Sequence, residues 1–247
     1  PWLPHHLEQA CAALSEHRDV DVVVGPARVL DQTTNRVIED NSYYPAGSPR
    51  GFLALESEQR QDLTVIRDKG FVTHVVEHGY PGGLQATVLR GAIARQLSFL
   101  PIRLFDDTAY QLDMLGYGAK LAYFTTPRIV YRIHEENTSM VGNATVAPER
   151  RIAAYRDAVT AFEWLSKRPY FSKEEQDAIR RRLACEWFWH LGYNGYRLAG
   201  QSTKARECYR SALSLLPFDM KMRKTELTER IRNFIFDVRS GSLNESS

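Results

Sequence analysis

An α/β fold followed by an all-helical region is what this chain of 247 residues predicts. Short β-branched apolar runs recur as far as Ile133, and apolar residues then change for good to helical spacing after Ser139. The 43% apolar content is enough for a sizeable core spread over one and a half to two domains. The expected division is a mixed region over 1–145, a helical region over 146–239 and a polar, disordered tail over 240–247.

Leu3, Leu7, Ala10, Cys11 and Leu14 share one face of a helix over 3–17. Asp19-Val20-Asp21-Val22-Val23-Val24 then predicts a buried strand, stopped by Gly25-Pro26. Ala27 to Leu30 and Arg36 to Ile38 flank a polar turn and predict a hairpin with one wet face. The Tyr, Pro, Gly and Ser content of 41–51 marks a loop of the kind that shapes access to a site. Phe71-Val72-Thr73-His74-Val75-Val76 has strand composition and is broken by Gly79-Tyr80-Pro81-Gly82-Gly83. A short strand running into a helical turn follows over 85–96. Ala109, Leu112 and Leu115 predict a helix over 108–115, closed by Gly116 and Gly118, and strands follow at 120–124 and 128–133.

The helical region begins with Ile152, Tyr155, Val159, Phe162 and Leu165 on one amphipathic face. Ser172-Lys173-Glu174-Glu175 is a capping-box signal ahead of a helix carrying Ile179, Leu183 and Trp187. Helices over 202–216 and 218–238 complete it, with Trp187, Phe188 and Trp189 as packing anchors.

A net charge of +2 hides an asymmetry: 13 basic and 17 acidic side chains in 1–148, against 19 and 13 in 149–247. Charges of both signs are interspersed, which predicts solvated helix faces and no nucleic-acid partner, with at most a weak peripheral contact with a membrane surface. Cys11, Cys185 and Cys208 are odd in number and widely spaced, so they predict reduced, mostly buried thiols, a cytoplasmic location and no zinc site. Apolar runs stop far short of a transmembrane segment, and no charged-then-apolar leader opens the chain. It starts at Pro1 rather than Met, so a preceding portion is expected.

The chemistry concentrates between Asp106 and Ser139. Asp106-Asp107, and then Tyr131-Arg132-Ile133-His134 leading to Asn137 and Ser139, bring together a base, a phosphate clamp and a metal ligand. Each has a plainer reading. Either aspartate can cap a helix starting at Thr108, and a lone histidine is commonly a hydrogen-bonded structural residue. Asn137 and Ser139 suit side-chain bonds that fix a loop. His5-His6 and the pair His74 and His78 lack a third ligand, Gly79 to Gly83 is a turn rather than a phosphate loop, and no nucleophile-elbow motif is present.

Leu104-Phe105-Asp106-Asp107, Gly116-Tyr117-Gly118, Pro127 and Tyr131-Arg132-Ile133-His134-Glu135-Glu136-Asn137-Thr138-Ser139 resemble the second half of an inverting family 2 glycosyltransferase. Pro1-Trp2-Leu3-Pro4-His5-His6-Leu7 resembles the segment that follows that family's metal-binding Asp-x-Asp, so the resemblance covers roughly residues 1–140. It implies a partial GT-A fold, a mixed sheet with helices like that of nucleotide-diphospho-sugar transferases, without its nucleotide-binding half. It further implies a bacterial-type enzyme of polysaccharide biosynthesis. A nucleotide-sugar donor, with Mg²⁺ or Mn²⁺, would glycosylate a glycan, lipid-linked or protein acceptor with inversion. By the same resemblance Asp107 is the base, Asp106 orients the helix start or the acceptor, Arg132, Tyr131 and Trp2 contact substrate, and His134 is a metal ligand. Trp189, Tyr196, Gly200, Ala205, Tyr209, Ala212 and Pro217 resemble one tetratricopeptide repeat, with the expected Leu-Gly pair one residue early at Leu191-Gly192. One repeat cannot form a solenoid, so a hairpin packed back on the mixed region is expected. The competing function is a non-catalytic helical interaction module.

Overall fold

The computed structural model describes residues 1–134 and 147–244, with 233–244 described by backbone alone. Helix α1 (His6–Glu16) leads into strands β1 (Val22–Val24), β2 (Ala27–Asp31) and β3 (Val37–Glu39). A loop with short 3₁₀ turns reaches β4 (Ser57–Arg60) and β5 (Leu63–Ile66), followed by α2 (Phe71–His78), β6 (Thr87–Leu89) and the single turn α3 (Gly91–Ala94). Helix α4 (Asp106–Gly116) and strands β7 (Leu121–Phe124) and β8 (Ile129–Ile133) close the mixed region. Helices α5 (Pro148–Leu165), α6 (Lys173–Cys185), a π-wound segment (Glu186–Arg197), α7 (Ser202–Leu215) and α8 (Met220–Asn244) follow.

The strands form two mixed sheets, one in the order β4-β5-β7-β1-β6 and one in the order β3-β2-β8. β1 runs parallel to β7 and antiparallel to β6, while β2 runs parallel to β8 and antiparallel to β3. The parallel pair of the first sheet therefore continues as the parallel pair of the second. At this passage the two chains nearly touch: the Arg128 amide donates to the Pro26 carbonyl at 2.8 Å. A Cβ on Gly25 would lie 2.2 Å from Arg128 Cγ, so the strand-stopping glycine permits the approach.

Side-chain alternation gives the first sheet two covered faces. Val23, Ala122 and Phe124 face α1 through Ala10, Ala13 and Leu14. Val22, Val24, Leu121 and Tyr123 join a larger core with Phe71 and Val75 of α2 and Leu112 of α4. That core continues without a break into the helical layer, through Val159, Phe162 and Leu165 of α5 and Ile179 and Leu183 of α6. Truncating Phe162 or Leu165 to alanine would cost about 2–5 kcal/mol. Among the described residues no helix is long and apolar enough to cross a membrane.

Four expectations change. Phe71 to Val76 is helix, because a helix turns Phe71, Val75 and Val76 onto one buried face, and the tertiary gain overrides β-branched propensity. The β4-β5 hairpin was not anticipated, since its tight turn Gln61-Asp62 is polar and β4 itself is exposed. Cys11 is exposed, although Cys208 is buried as expected. The terminal helix runs to Asn244, beyond the residue 238 at which spacing ended it.

The Ser172 capping box forms in full, with Ser172 Oγ accepting from the Glu175 amide and Glu175 Oε2 accepting from the Ser172 amide. The π-wound segment and α7 pack against each other as a helical hairpin. Phe188 is fully buried and stacks on Tyr209 at 4.4 Å between centroids. A Cβ on Gly192 would meet Tyr209 and Cys208 at about 3 Å, so the glycine sets how closely the two helices approach.

Candidate functional site

A cleft of about 860 Å³ opens beside the passage between the sheets. One wall is strand: Ala27 and Val29 of β2 beside Ile129, Val130, Tyr131 and Arg132 of β8. Parallel pairing sets Val29 opposite Tyr131 and Leu30 opposite Arg132, so the register of β2 fixes where these side chains emerge. The facing wall is Leu104, Phe105, Asp107 and Thr108, and α5 closes one end with Ala154 and Tyr155.

Asp107 belongs to the first turn of α4, where the positive end of the helix dipole favours a carboxylate. Its Oδ1 accepts from the Thr108 amide at 2.7 Å, and its Oδ2 has no bond among the described residues. The helix starts at Asp106 rather than Thr108, and no side chain caps it. The residue ahead, Phe105, sits at φ 64°, a left-handed conformation that costs a bulky side chain on the order of 1–3 kcal/mol. That kink on the cleft wall is held from outside: the Leu104 amide donates to Asp157 Oδ2 of α5 at 3.0 Å.

Arg50 guards the loop side. Its half-buried guanidinium donates to the Pro81 carbonyl at 2.7 Å and the Tyr80 carbonyl at 3.1 Å, and burial lowers its pKa. The two bonds orient the turn whose Gly82 and Gly83 line the cleft. A Cβ on Gly82 would lie 2.7 Å from Val24 Cγ2, so this turn can lie against β1 only without a side chain.

Tyr155 links the cleft to a buried charge. Its ring stacks on His190 at 5.6 Å, and burial raises its phenol pKa. His190 Nδ1 lies 2.6 Å from Oε2 of the fully buried Glu186, while Arg182 Nε donates to Oε1 at 2.7 Å. Burial alone would raise the Glu186 carboxyl, but its bonds to His190 and Arg182 bring it below its ordinary value.

The structure thus gathers Asp107, Tyr131 and Arg132 in one cleft and leaves other expected residues off its walls. Asp106 is half-buried beside it. Trp2 is half-exposed and donates its indole N–H to the Gln85 carbonyl at 2.8 Å, pinning a wall residue without lining the cleft itself. His134 is exposed beyond the end of β8 and does not line the cleft. Asn137 and Ser139 lie outside the described residues. His74 and His78 share a face of α2 with ring centroids 4.7 Å apart, where a strand had been expected.

Among the described residues no group of three His, Cys, Asp or Glu side chains converges as a metal site. The one Asp-x-Asp string, Asp19-Val20-Asp21, is otherwise engaged. Asp19 is bound by Arg60 and Arg67, and Asp21 accepts from the Lys120 amide. These residues by themselves do not fit Mg²⁺ or Mn²⁺.

Sequence reasoning did not single out Arg50 or Tyr155 for the site, and it named Leu104-Phe105 only as part of a motif. An arginine inside a Tyr/Pro/Gly/Ser loop was the available sign for Arg50, whereas Tyr155 looked like any other member of an apolar helix face. No family model matches the chain, and no curated protein matches it.

Proposed function

We propose that this chain forms the acceptor side of an inverting, nucleotide-sugar-dependent glycosyltransferase of the GT-A type. The observation that carries it is the convergence of Asp107, at the start of α4, with Tyr131 and Arg132 of β8 on one cleft of about 860 Å³. Such a volume suits a sugar unit or two, since ligand clefts run from roughly 300 to 1,000 Å³.

Inverting transfer needs a carboxylate on the face of the sugar opposite the leaving group. Asp107 takes the proton of the acceptor hydroxyl as its oxygen bonds to the anomeric carbon, and the bond to the nucleoside diphosphate breaks with its electron pair. Arg132 supplies positive charge toward the departing phosphates. Tyr131 offers a ring and a hydroxyl to the sugar. Arg50 holds the Gly82-Gly83 turn at acceptor distance, and Asp157, through Leu104, holds the turn that presents Asp107. The nucleotide-binding half and the carboxylates for Mg²⁺ or Mn²⁺ are not among the described residues; in the complete enzyme both would come from sequence outside them.

In the complete enzyme, Asp107→Asn should lower sugar transfer at least about 100-fold with the thermal midpoint unchanged, and Asp106→Asn should lower it far less. This chain alone should transfer nothing detectable. Transfer by Asp107→Asn at the unaltered rate, together with loss of a bound partner when 149–247 is deleted, would defeat the proposal in favour of a non-catalytic interaction module.

A further inference from the structure

The described turns of α8 divide their charges by face. Met222 and Glu229 are buried against the body of the protein, and Thr225 and Glu226 are half-buried beside them. Glu229 pairs with Arg197 across the seam and with Arg232 at 3.1 Å, while Glu226 pairs with Arg230. Asp219, just ahead of the helix, caps it by accepting from the Met222 amide at 2.8 Å. Every carboxylate of 219–232 is thus half-buried or buried. The outward face carries Lys221, Arg223, Lys224, Arg230 and Arg232, all exposed, and no acid.

Between those cations runs an apolar stripe. At 3.6 residues per turn, Met220, Leu227 and Ile231 fall within about 40° of one another. They are 76%, 57% and 52% exposed, and Phe218 just before the helix is 87% exposed. Lys221, Lys224 and Arg232 border one side of the stripe, and Arg223 and Arg230 the other. Long cationic side chains flanking an exposed apolar stripe, with the acids turned away, are the surface chemistry of a helix lying in a bilayer interface.

We infer that the outward face of α8 docks on an anionic lipid surface, with Met220, Leu227 and Ile231 entering the headgroup boundary and the five cations meeting lipid phosphates. The contact is peripheral, as no described helix is long and apolar enough to cross a membrane. Charge decides among occupants. A second copy of this face would set Lys221, Arg223 and Lys224 against the same three cations, beside the two arginines that Glu226 and Glu229 already pair. A nucleic acid would set aliphatic Leu227 and Ile231 against phosphates.

The test is flotation of the intact protein with vesicles of phosphatidylcholine alone and of phosphatidylcholine mixed with phosphatidylglycerol. Binding should favour the mixed vesicles at least about tenfold and weaken as salt rises. Leu227→Ser with Ile231→Ser should lower partitioning at least about tenfold. Arg223→Gln with Lys224→Gln should lower it roughly 25-fold, near fivefold for each charge. These side chains are exposed, so thermal midpoints should hold, and the charge pair decides should the apolar pair unfold. Equal binding to both vesicle types, or binding untouched by either pair, overturns the inference. So does light scattering that shows a dimer dissolved by Leu227→Ser with Ile231→Ser, or duplex nucleic acid bound through Arg223 and Lys224 in the absence of vesicle binding.

Discussion

The edge of the five-stranded sheet and the helical layer behind it use the same ion-pair chemistry at opposite depths. At the edge, Asp19 and Glu58 are shared between Arg60 and Arg67 at 2.6–3.0 Å, with both carboxylates well exposed. In the helical layer and its seam, Asp113, Glu186 and Glu229 are 2%, 0% and 3% exposed, and each is held by an arginine. Water screens the first network, so it adds little to stability. The second adds little either, because desolvation offsets attraction, but breaking one of its pairs strands a charge. What the buried pairs provide is placement: Arg168 ties Asp113 of α4 to the turn after α5, and Arg182 ties Glu186 to the helix before it.

The contrast can be broken most forcefully at Arg182. Arg182→Leu leaves Glu186 with His190 alone and should destabilise the protein by about 2 kcal/mol in urea unfolding, and Arg182→Leu with Glu186→Leu should recover much of it. Recovery marks a stranded charge rather than lost packing. Next comes the seam: Asp157→Ala removes the acceptor of the Leu104 amide and should cost about 1–2 kcal/mol. Hydrogen exchange should then speed up at Leu104 more than in the sheet.

The two buried carboxylates should also differ in pH response. Glu186 is held below its ordinary 4.5, so it supports the fold above that pH and its contribution is lost as pH falls through the lowered value. Burial raises Asp113 above its ordinary 3.8 despite Arg168, so its contribution is fully present below that value and declines as pH rises through the raised one. Unfolding midpoints followed from neutral to acid pH should show Glu186→Gln flattening the acid loss. Asp113→Asn should remove a slope of the opposite sign.

The smallest effect belongs to the sheet edge. Arg60 and Arg67 hold Glu58 down to about 2, so its share of stability disappears only as pH falls from 4.5 toward that value. At neutral pH, Glu58→Gln should shift the melting midpoint slightly, and the shift should vanish in high salt.

Most strands were legible because β-branched runs such as Val22-Val23-Val24 have few other fates, and α4 to α7 because apolar spacing and the Ser172 cap are local signals. Phe71 to Val76 misled for the same reason the strands did not: composition speaks for strand, and only packing against the neighbouring layers chooses helix. For the site, Asp107, Tyr131 and Arg132 stood out because each belongs to a compact motif. Arg50 and Tyr155 did not, since they reach the cleft through contacts that span dozens of residues, and their neighbours in sequence say nothing of it. His134 shows the converse, a motif residue whose side chain ends outside the cleft.

The π-wound segment between Cys185 and Leu198 holds spare length. Each of its turns contains one residue more than an α-turn. Losing a single residue near Gly195 would let the coil tighten locally, with Glu186 still seated at one end and α7 still docked at the other. Chain-length drift that would dislocate an ordinary helix has a built-in place to be absorbed, directly behind the tyrosine that closes the cleft.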